Sequence, residues 1–536
     1  MTTGHADTPL FTLRGEVRDA DSDALIASRI YLNDAVGKHY FLESADPEGV
    51  ALPYDRQNWA NENAVERYTN LSAHPFEINL PPGDYTLTVE RGKEYRPLNR
   101  EFTITDADLH LALSLERWED MAAQGWYSGD THVHREVDEL RTILPAEDLH
   151  AAFPLTYWVT VSDTPPSQGE GNLPDPGHEP ILVEPNRVIY PRNTEYELFR
   201  VSGVDRVLGA FFILNHQEVL EHTAPPVAEI GEQARAEGAL IDMDKADWAW
   251  SMMLPPVLGV DLFELANNHI WRTEFAFSNW VTPAPAYMNL PNDGLGGTEV
   301  DWMHYGFHCY YALLNAGFRL RPTAGTANGV HPVPLGFGRV YVQVDAEFSP
   351  EAWFAGLDAG RSFVTTGPMI QATLAGAAPG GAEQASEIPI QRSISGIITS
   401  ERPLSHIEVV INGRVAKTIS PENHQNARQA YTTSFQQDIV FEESGWVALR
   451  CFEPHPGDKV RFAHTAPWHI DIEDRPLYPT PEQIAFLIER SETPRRQFED
   501  LLSAEALAEF DQAAARYRAI QAEAEAYRAL RTQGAE

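Results

Sequence analysis

The chain has 536 residues with 43% hydrophobic and 10% aromatic content, which excludes a disordered polymer and predicts roughly three folding units with separate cores. Its 40 basic and 78 acidic residues give a net charge of −38; such a field repels nucleic acid and anionic membrane surfaces, so neither is expected as a partner. With only Cys309 and Cys451, neither a disulfide framework nor a thiolate metal cluster can form.

The opening residues, MTTGHADTPLFTLRG, lack a basic segment followed by an apolar run, and no apolar stretch reaches the ~18 residues of a membrane span, so a cytoplasmic chain is expected. Residues 1–118 predict an N-terminal β-sandwich. Short alternating bursts such as FTLRGEVRD, SRIYLND and YTLTVERG are separated by turn residues such as Pro81-Pro82-Gly83-Asp84. Within it, residues 40–72 are rich in Asn, Asp, Tyr and Trp and read as a long loop reaching toward a neighbouring domain.

From 119 to 370 the pattern changes. Strand-like runs (YWVTVSD, GAFFILN, GALIDMD, VDLFELANN, GRVYVQVD) alternate with helical stretches (PAEDLHAAF, PVAEIGEQARAEG, MHYGFHCYYALLNAGF), which predicts an α/β barrel or layered α/β domain with active groups at the strand C-termini. Gly294-Leu295-Gly296-Gly297 is a turn signal. Residues 371–476 return to alternating strands and predict a second sandwich. Residues 477–536 predict a helical tail, opened by the capping box Thr480-Pro481-Glu482-Gln483 and restarted at Thr493-Pro494. Its last helix spaces Phe510, Ala513, Tyr517, Ile520, Ala524 and Tyr527 at heptad-like intervals; packing on its own chain is expected, with a homodimer seam as the alternative.

The chemistry concentrates in GWYSGDTHVHREVDEL, residues 125–140. On a strand, positions i and i+2 share a face, so Asp130, His132 and His134 project together. Two neutral imidazoles can hold one Zn²⁺-like ion, with Asp130 as a ligand or as a group that orients a ring. The alternative is a strand that happens to carry histidines. Arg135 and Lys245 are candidate anion or oxyanion contacts, with surface salt bridging as the bland alternative. The aromatics Trp248, Trp250, Trp271, Phe275, Phe277 and Trp280 either wall a pocket for a sugar or aryl ring or pack beneath loops.

YSGDTHVHR resembles the first motif of the PHP (polymerase and histidinol phosphatase) superfamily of metallohydrolases, closest to its carbaryl-type carbamate and ester hydrolase branch. LGVDLFELANNHIW, RPTAGTANGVHPVPLGFGRVYV, AGRSFVTTGPMI and RFAHTAPWHIDI extend the likeness. The resemblance implies a distorted (β/α)7 barrel holding two or three divalent ions, here flanked by the two sandwiches and the helical tail. It implies His132 and His134 as ligands, Glu195 as bridging glutamate with Glu197 as alternate, Glu264 and His269 as a late acid and histidine, and Asp163 as the aspartate of a Thr-Asp-His motif whose histidine is Thr164 here. Thr326-Ala327-Asn328 stands where the family ends on an Asp-x-His pair, so the set supports one or two ions rather than three.

The function so implied is metal-dependent hydrolysis of a small ester, carbamate, phosphoester or sugar-derived substrate, including oligosaccharides. The expected cofactor is Zn, with Mn or Fe as alternatives. His132, His134, Glu195, His269 and Asp130 are the metal set; Glu264 or Asp163 acts as base or orients a ligand, with Arg135 and Lys245 assisting. A lyase or dehydratase on the same scaffold, or a degenerate barrel serving as a carbohydrate-binding module, is the alternative.

Overall fold

Alternating apolar residues build the first unit of the computed structural model, which describes residues 9–168, 175–277, 279–290, 297–457 and 459–533. Most of the Gly294–Gly297 turn signal lies outside those residues. A four-stranded sheet (Glu43–Ser44, Phe76–Leu80, Phe11–Asp19, Leu109–Leu115) and a five-stranded sheet (Ala51–Gln57, Val65–Leu71, Ser28–Asp34, Gly83–Glu90, Leu98–Ile104) share a core that includes Leu13, Ile30, Phe76 and Leu87. The segment expected as a loop, 40–72, is instead largely strand. Ala51–Gln57 pairs with Val65–Leu71, and this hairpin reaches the next unit, where the Tyr54 hydroxyl donates to the His331 carbonyl at 2.5 Å and accepts from Gly329 N at 2.9 Å.

The chain is mixed α/β with much sheet and few helices. In the central region the strands lie in two sheets, and among the described residues no closed ring of hydrogen-bonded strands forms. The six-stranded sheet runs Tyr157–Val161, Asn193–Val201, Val204–Leu214, Leu240–Met243, Leu262–Ala266, Arg321–Ala324. Strict β/α alternation fails at Asn193–Val201 and Val204–Leu214, which pair antiparallel through the tight turn Ser202-Gly203, both at positive φ (48° and 79°), leaving no room for a helix between them.

The second, twelve-stranded sheet places Trp126–Val133 between Ala151–Pro154 and Arg339–Gln343. The helix expected over 145–153 sits earlier, at Val137–Ala146, with a reciprocal Glu136/Glu139 capping box. Asp148 at φ 46° ends that excursion, and the fully buried Ala151, Ala152 and Phe153 extend as a strand. The two sheets touch at one end of the Trp126–Val133 strand: Ala327 N donates to the His132 carbonyl at 2.8 Å, and His134 N to the Asn328 carbonyl at 2.7 Å.

Hydrogen bonding in the large sheet continues across residue 370, from Ser362–Thr365 to Lys459–Thr465, Gly445–His455 and His406–Ile411. A four-stranded sheet containing Met369–Leu374, Ile390–Ser400 and Tyr431–Phe441 covers this part around Ile394, Ile398, Val409, Leu449 and Trp468. The tail forms helices Pro481–Gln497 and Ala504–Gln533. Thr480 caps the first as expected, but Pro494 lies inside that helix rather than opening another. Phe510, Ala513, Tyr517, Ile520 and Ala524 are buried within the chain, and the Tyr517 hydroxyl donates to the Met252 carbonyl. No described helix is long and apolar enough to cross a membrane.

Candidate metal centre

His132 closes the Trp126–Val133 strand with its ring 1% exposed and packed against Phe212 at 4.5 Å between centroids. The ring divides its surroundings. On one side its Nε2 lies 3.3 Å from Nε2 of His134, and Glu195 approaches both, at 3.8 Å from His132 Nε2 and 3.2 Å from His134 Nε2. On the other side its Nδ1 lies 3.0 Å from Glu264 Oε2 and 3.8 Å from Asp244 Oδ2. These are the two groups whose ligand atoms converge among the described residues: His132, His134 and Glu195; and His132, Asp244 and Glu264.

Each acid comes from the mouth of a different strand of the six-stranded sheet. Glu195 sits early in Asn193–Val201, with Glu197 two residues on and so on the same face. Both Glu195 oxygens are buried with no hydrogen-bond partner. Burial pushes the Glu195 carboxyl up to about 8, and burial together with the neighbouring Glu195 does the same to Glu197. Glu264, on Leu262–Ala266, is raised well above the ordinary carboxylate range, first by burial and then by Asp244. Burial lowers His134 to about 4 and His132 further, so both imidazoles are neutral at physiological pH and carry lone pairs.

Lys245 stands among these acids. It follows Asp244 in a left-handed backbone conformation (φ 51°), and its ammonium forms a close ion pair with the Asp244 carboxylate. Burial opposes that charge, but Asp244, Glu197, Glu264 and Glu195 outweigh it and hold the lysine above its ordinary pKa. Asp242 lies beneath, accepting from the hydroxyls of Thr323 (2.7 Å) and Thr131 (3.2 Å), and burial raises it to about 8. Sequence reading passed over Asp242 and Asp244, although two acids at i and i+2 closing the LIDMD run are the strand-end signal that flagged the histidines.

Four residues named from sequence stand elsewhere. Asp130 does not converge with the ligand atoms. Its Oδ1 accepts from His132 N (3.1 Å) and Thr326 N (3.2 Å), and its Oδ2 from Thr326 Oγ1 (2.6 Å) and Gly336 N (2.9 Å). It therefore clips the 326–336 loop to the histidine strand; burial raises it to about 6 against those bonds. His269 is buried but packs its ring on Trp302 (4.3 Å) and Phe277 (4.8 Å), outside both convergent groups. Asp163 is exposed at φ 58°, accepting from Ser162 Oγ, because the turn after Tyr157–Val161 carries it outward. Arg135 forks onto Glu139 one helical turn away, at 2.9 and 3.0 Å.

Trp248, Trp250 and Trp271 are buried, while Phe275, Phe277 and Trp280 are partly so. His331, which sequence reading missed, packs on Phe277 and on Trp59 from the N-terminal hairpin, at 5.6 and 5.1 Å. A cleft of about 510 Å³ opens beside His134, with Arg135, Arg141, Trp158 and Val330 on its walls.

The donors suit a divalent cation. Two imidazole nitrogens and one carboxylate form a three-ligand set that leaves coordination positions open, and the remaining ring nitrogen of His132 faces a carboxylate, the arrangement that fixes a ligating histidine's tautomer. Without a cation, the buried Glu195 carboxyl makes no hydrogen bond and has the His134 ring nitrogen 3.2 Å away as its nearest partner, a setting that costs several kcal/mol when the group is charged.

No family model and no curated protein matches the chain. Among solved structures, a two-domain protein from Bacteroides vulgatus containing a predicted PHP-like metal-dependent phosphoesterase aligns over 61% of this chain and 90% of its own, at 10% identity and a TM-score of 0.28. A β-glucuronidase from Parabacteroides merdae aligns over 84% of this chain and 62% of its own, at 10% identity and a TM-score of 0.16.

Proposed function

We propose that the chain is a metal-dependent hydrolase of the PHP-like kind its first motif resembles, built around one divalent ion held by His132 Nε2, His134 Nε2 and Glu195. Zinc is the first choice for an imidazole and carboxylate set, with manganese or iron as alternatives. The observation that carries this reading is Glu195: both oxygens are buried and unpartnered beside two facing imidazole nitrogens.

Bound there, the ion supplies Lewis acidity and makes water a usable nucleophile near neutral pH. The protein's own groups do the rest. With the ion bound and Glu264 ionised, its Oε2, 3.0 Å from His132 Nδ1, would accept the Nδ1 proton and hold the ring with Nε2 toward His134. Lys245 neutralises Asp244, so this side of the ring already has a resident cation; that favours one ion over two. Glu197, on the same face as Glu195 and raised to about 8, is the group to accept and return a proton near neutral pH. The cleft beside His134 has the size of a small-molecule site and suits an ester, carbamate or phosphoester.

The test is metal analysis of purified protein together with turnover of nitrophenyl ester, carbamate and phosphoester substrates. One equivalent of metal, lost with activity in His132→Ala and His134→Ala, supports the proposal. A chain that retains no divalent ion after loading with zinc, manganese or iron overturns it.

A further inference from the structure

Away from the histidines, a cavity of about 450 Å³ lies where the N-terminal sandwich, the 334–339 segment and the Gly445–His455/Lys459–Thr465 strands meet. Seven Lys and Arg side chains line it against four Glu, an excess of positive charge in a chain whose acids outnumber its bases 78 to 40.

Some of these cations are matched locally, as Arg461 is by Glu299 at 2.8 Å. Three are not. Arg339, 1% exposed, donates to the carbonyls of Gly336 (2.6 Å), Asp148 (3.1 Å) and Glu147 (3.1 Å). Lys459 donates to the carbonyls of Arg272 and Thr273. Lys93 has neither ion pair nor hydrogen bond from its ammonium to any described residue; it stands over the Phe337 ring, 3.8 Å from the centroid.

Carbonyls orient a cation without neutralising it, and a cation–π contact contributes only about 0.5–2 kcal/mol, so neither takes the place of a counter-anion. Burial, then the positive charges of Arg461 and Arg339, hold Lys93 well below the ordinary lysine pKa. Converging, uncompensated cations around a ligand-sized space are what an anion-binding site looks like before its anion arrives.

We propose that this junction binds a small multivalent oxyanion, the phosphate or carboxylate groups of a metabolite, with Lys93, Arg339 and Lys459 as its cationic contacts. The site is separate from the metal centre and does not depend on the hydrolase reading. Its ligand bridges the N-terminal unit, which carries Lys93, and the twelve-stranded sheet, which carries Arg339 and Lys459.

The test is calorimetry and thermal melting of the full-length, metal-stripped chain with inorganic pyrophosphate and with citrate, at constant ionic strength. Saturable binding of one equivalent is expected, and the preferred probe tells phosphate from carboxylate recognition. Lys93→Met removes a repelled charge, so it should melt no lower than the parent without anion, yet bind at least tenfold more weakly. Lys459→Gln keeps donors for the two carbonyls, loses the charge, and should also weaken binding. His132→Ala/His134→Ala should bind like the parent. Absence of saturable binding by both probes, undiminished affinity in both lysine variants, or loss of binding only in the histidine variant overturns the proposal.

Discussion

His132 Nε2 and His134 Nε2 face each other across 3.3 Å, from positions two apart at the end of one strand. Two neutral imidazoles so placed either share one proton or share one cation, and the buried Glu195 carboxyl beside them, which makes no hydrogen bond, favours the cation. Metal content should therefore be one ion per chain, abolished by His132→Ala and His134→Ala. Glu195→Gln, which leaves a neutral oxygen, should retain the fold and bind metal at least tenfold more weakly, read by competition with a chromogenic chelator.

Glu264 acts through His132 rather than on substrate. Removing such a partner of a ligating histidine typically costs about 10–100-fold in metal affinity or activity. Glu264→Gln should fall in that range, with activity recovered at saturating metal; a variant with unchanged metal affinity would show that the 3.0 Å contact to Nδ1 has no orienting role.

Lys245→Met should be more damaging than an ordinary surface change. It leaves Asp244, Glu264 and the two glutamates of the Asn193–Val201 strand without their buried counter-charge, and breaking a buried pair costs about 3–5 kcal/mol. Denaturant unfolding in the presence of a chelator should show that loss, and excess manganese should recover part of it by taking the vacated position. Unchanged stability would mean that the lysine does not neutralise the cluster.

The metal-free chain should lose stability as pH rises. Glu195, Glu197 and Asp242 have folded-state pKa values of about 8, above their unfolded values, so between those limits the folded state binds more protons. Their contribution is fully present below the unfolded pKa and is lost as pH climbs through about 8, by up to about 1.4 kcal/mol per pH unit for each group. A bound divalent ion replaces the protons. The melting-temperature gap between metal-loaded and chelated protein should therefore widen from pH 5 to pH 8; a constant gap would count against metal binding by these acids.

Asp130→Asn should loosen the centre indirectly. Asp130 accepts four hydrogen bonds, one from His132 N and three that pin Thr326 and Gly336 to the histidine strand, and an amide nitrogen in place of either oxygen leaves at least one N–H donor without its acceptor. A loss of about 1–3 kcal/mol in unfolding free energy is expected, with weaker metal binding as a consequence rather than a cause.

Much of this protein is set by local pattern. Period-2 alternation fixes the strands of the two N-terminal sheets because each must bury one face, and the same periodicity sends the side chains of His132 and His134 to one end of one strand whatever surrounds them. The Thr480 cap and the helix Ala228–Glu237 likewise depend on interactions within a few residues. The hairpin at 51–71 escaped that reading because its burial comes from Tyr54 and Tyr68 meeting another unit, which their own alternation does not reveal.

Which acids meet the histidines was decided only in three dimensions. Glu195, Asp244 and Glu264 lie on separate strands, and their convergence depends on the register and twist of sheets fixed by burial over the whole chain. A shift of one residue would turn each side chain to the opposite face. That same global packing carried Asp163 outward, put His269 against Trp302, and spent Asp130 on a loop. Sequence set which chemical groups stand at the strand ends; packing chose which of them share a space small enough for one ion.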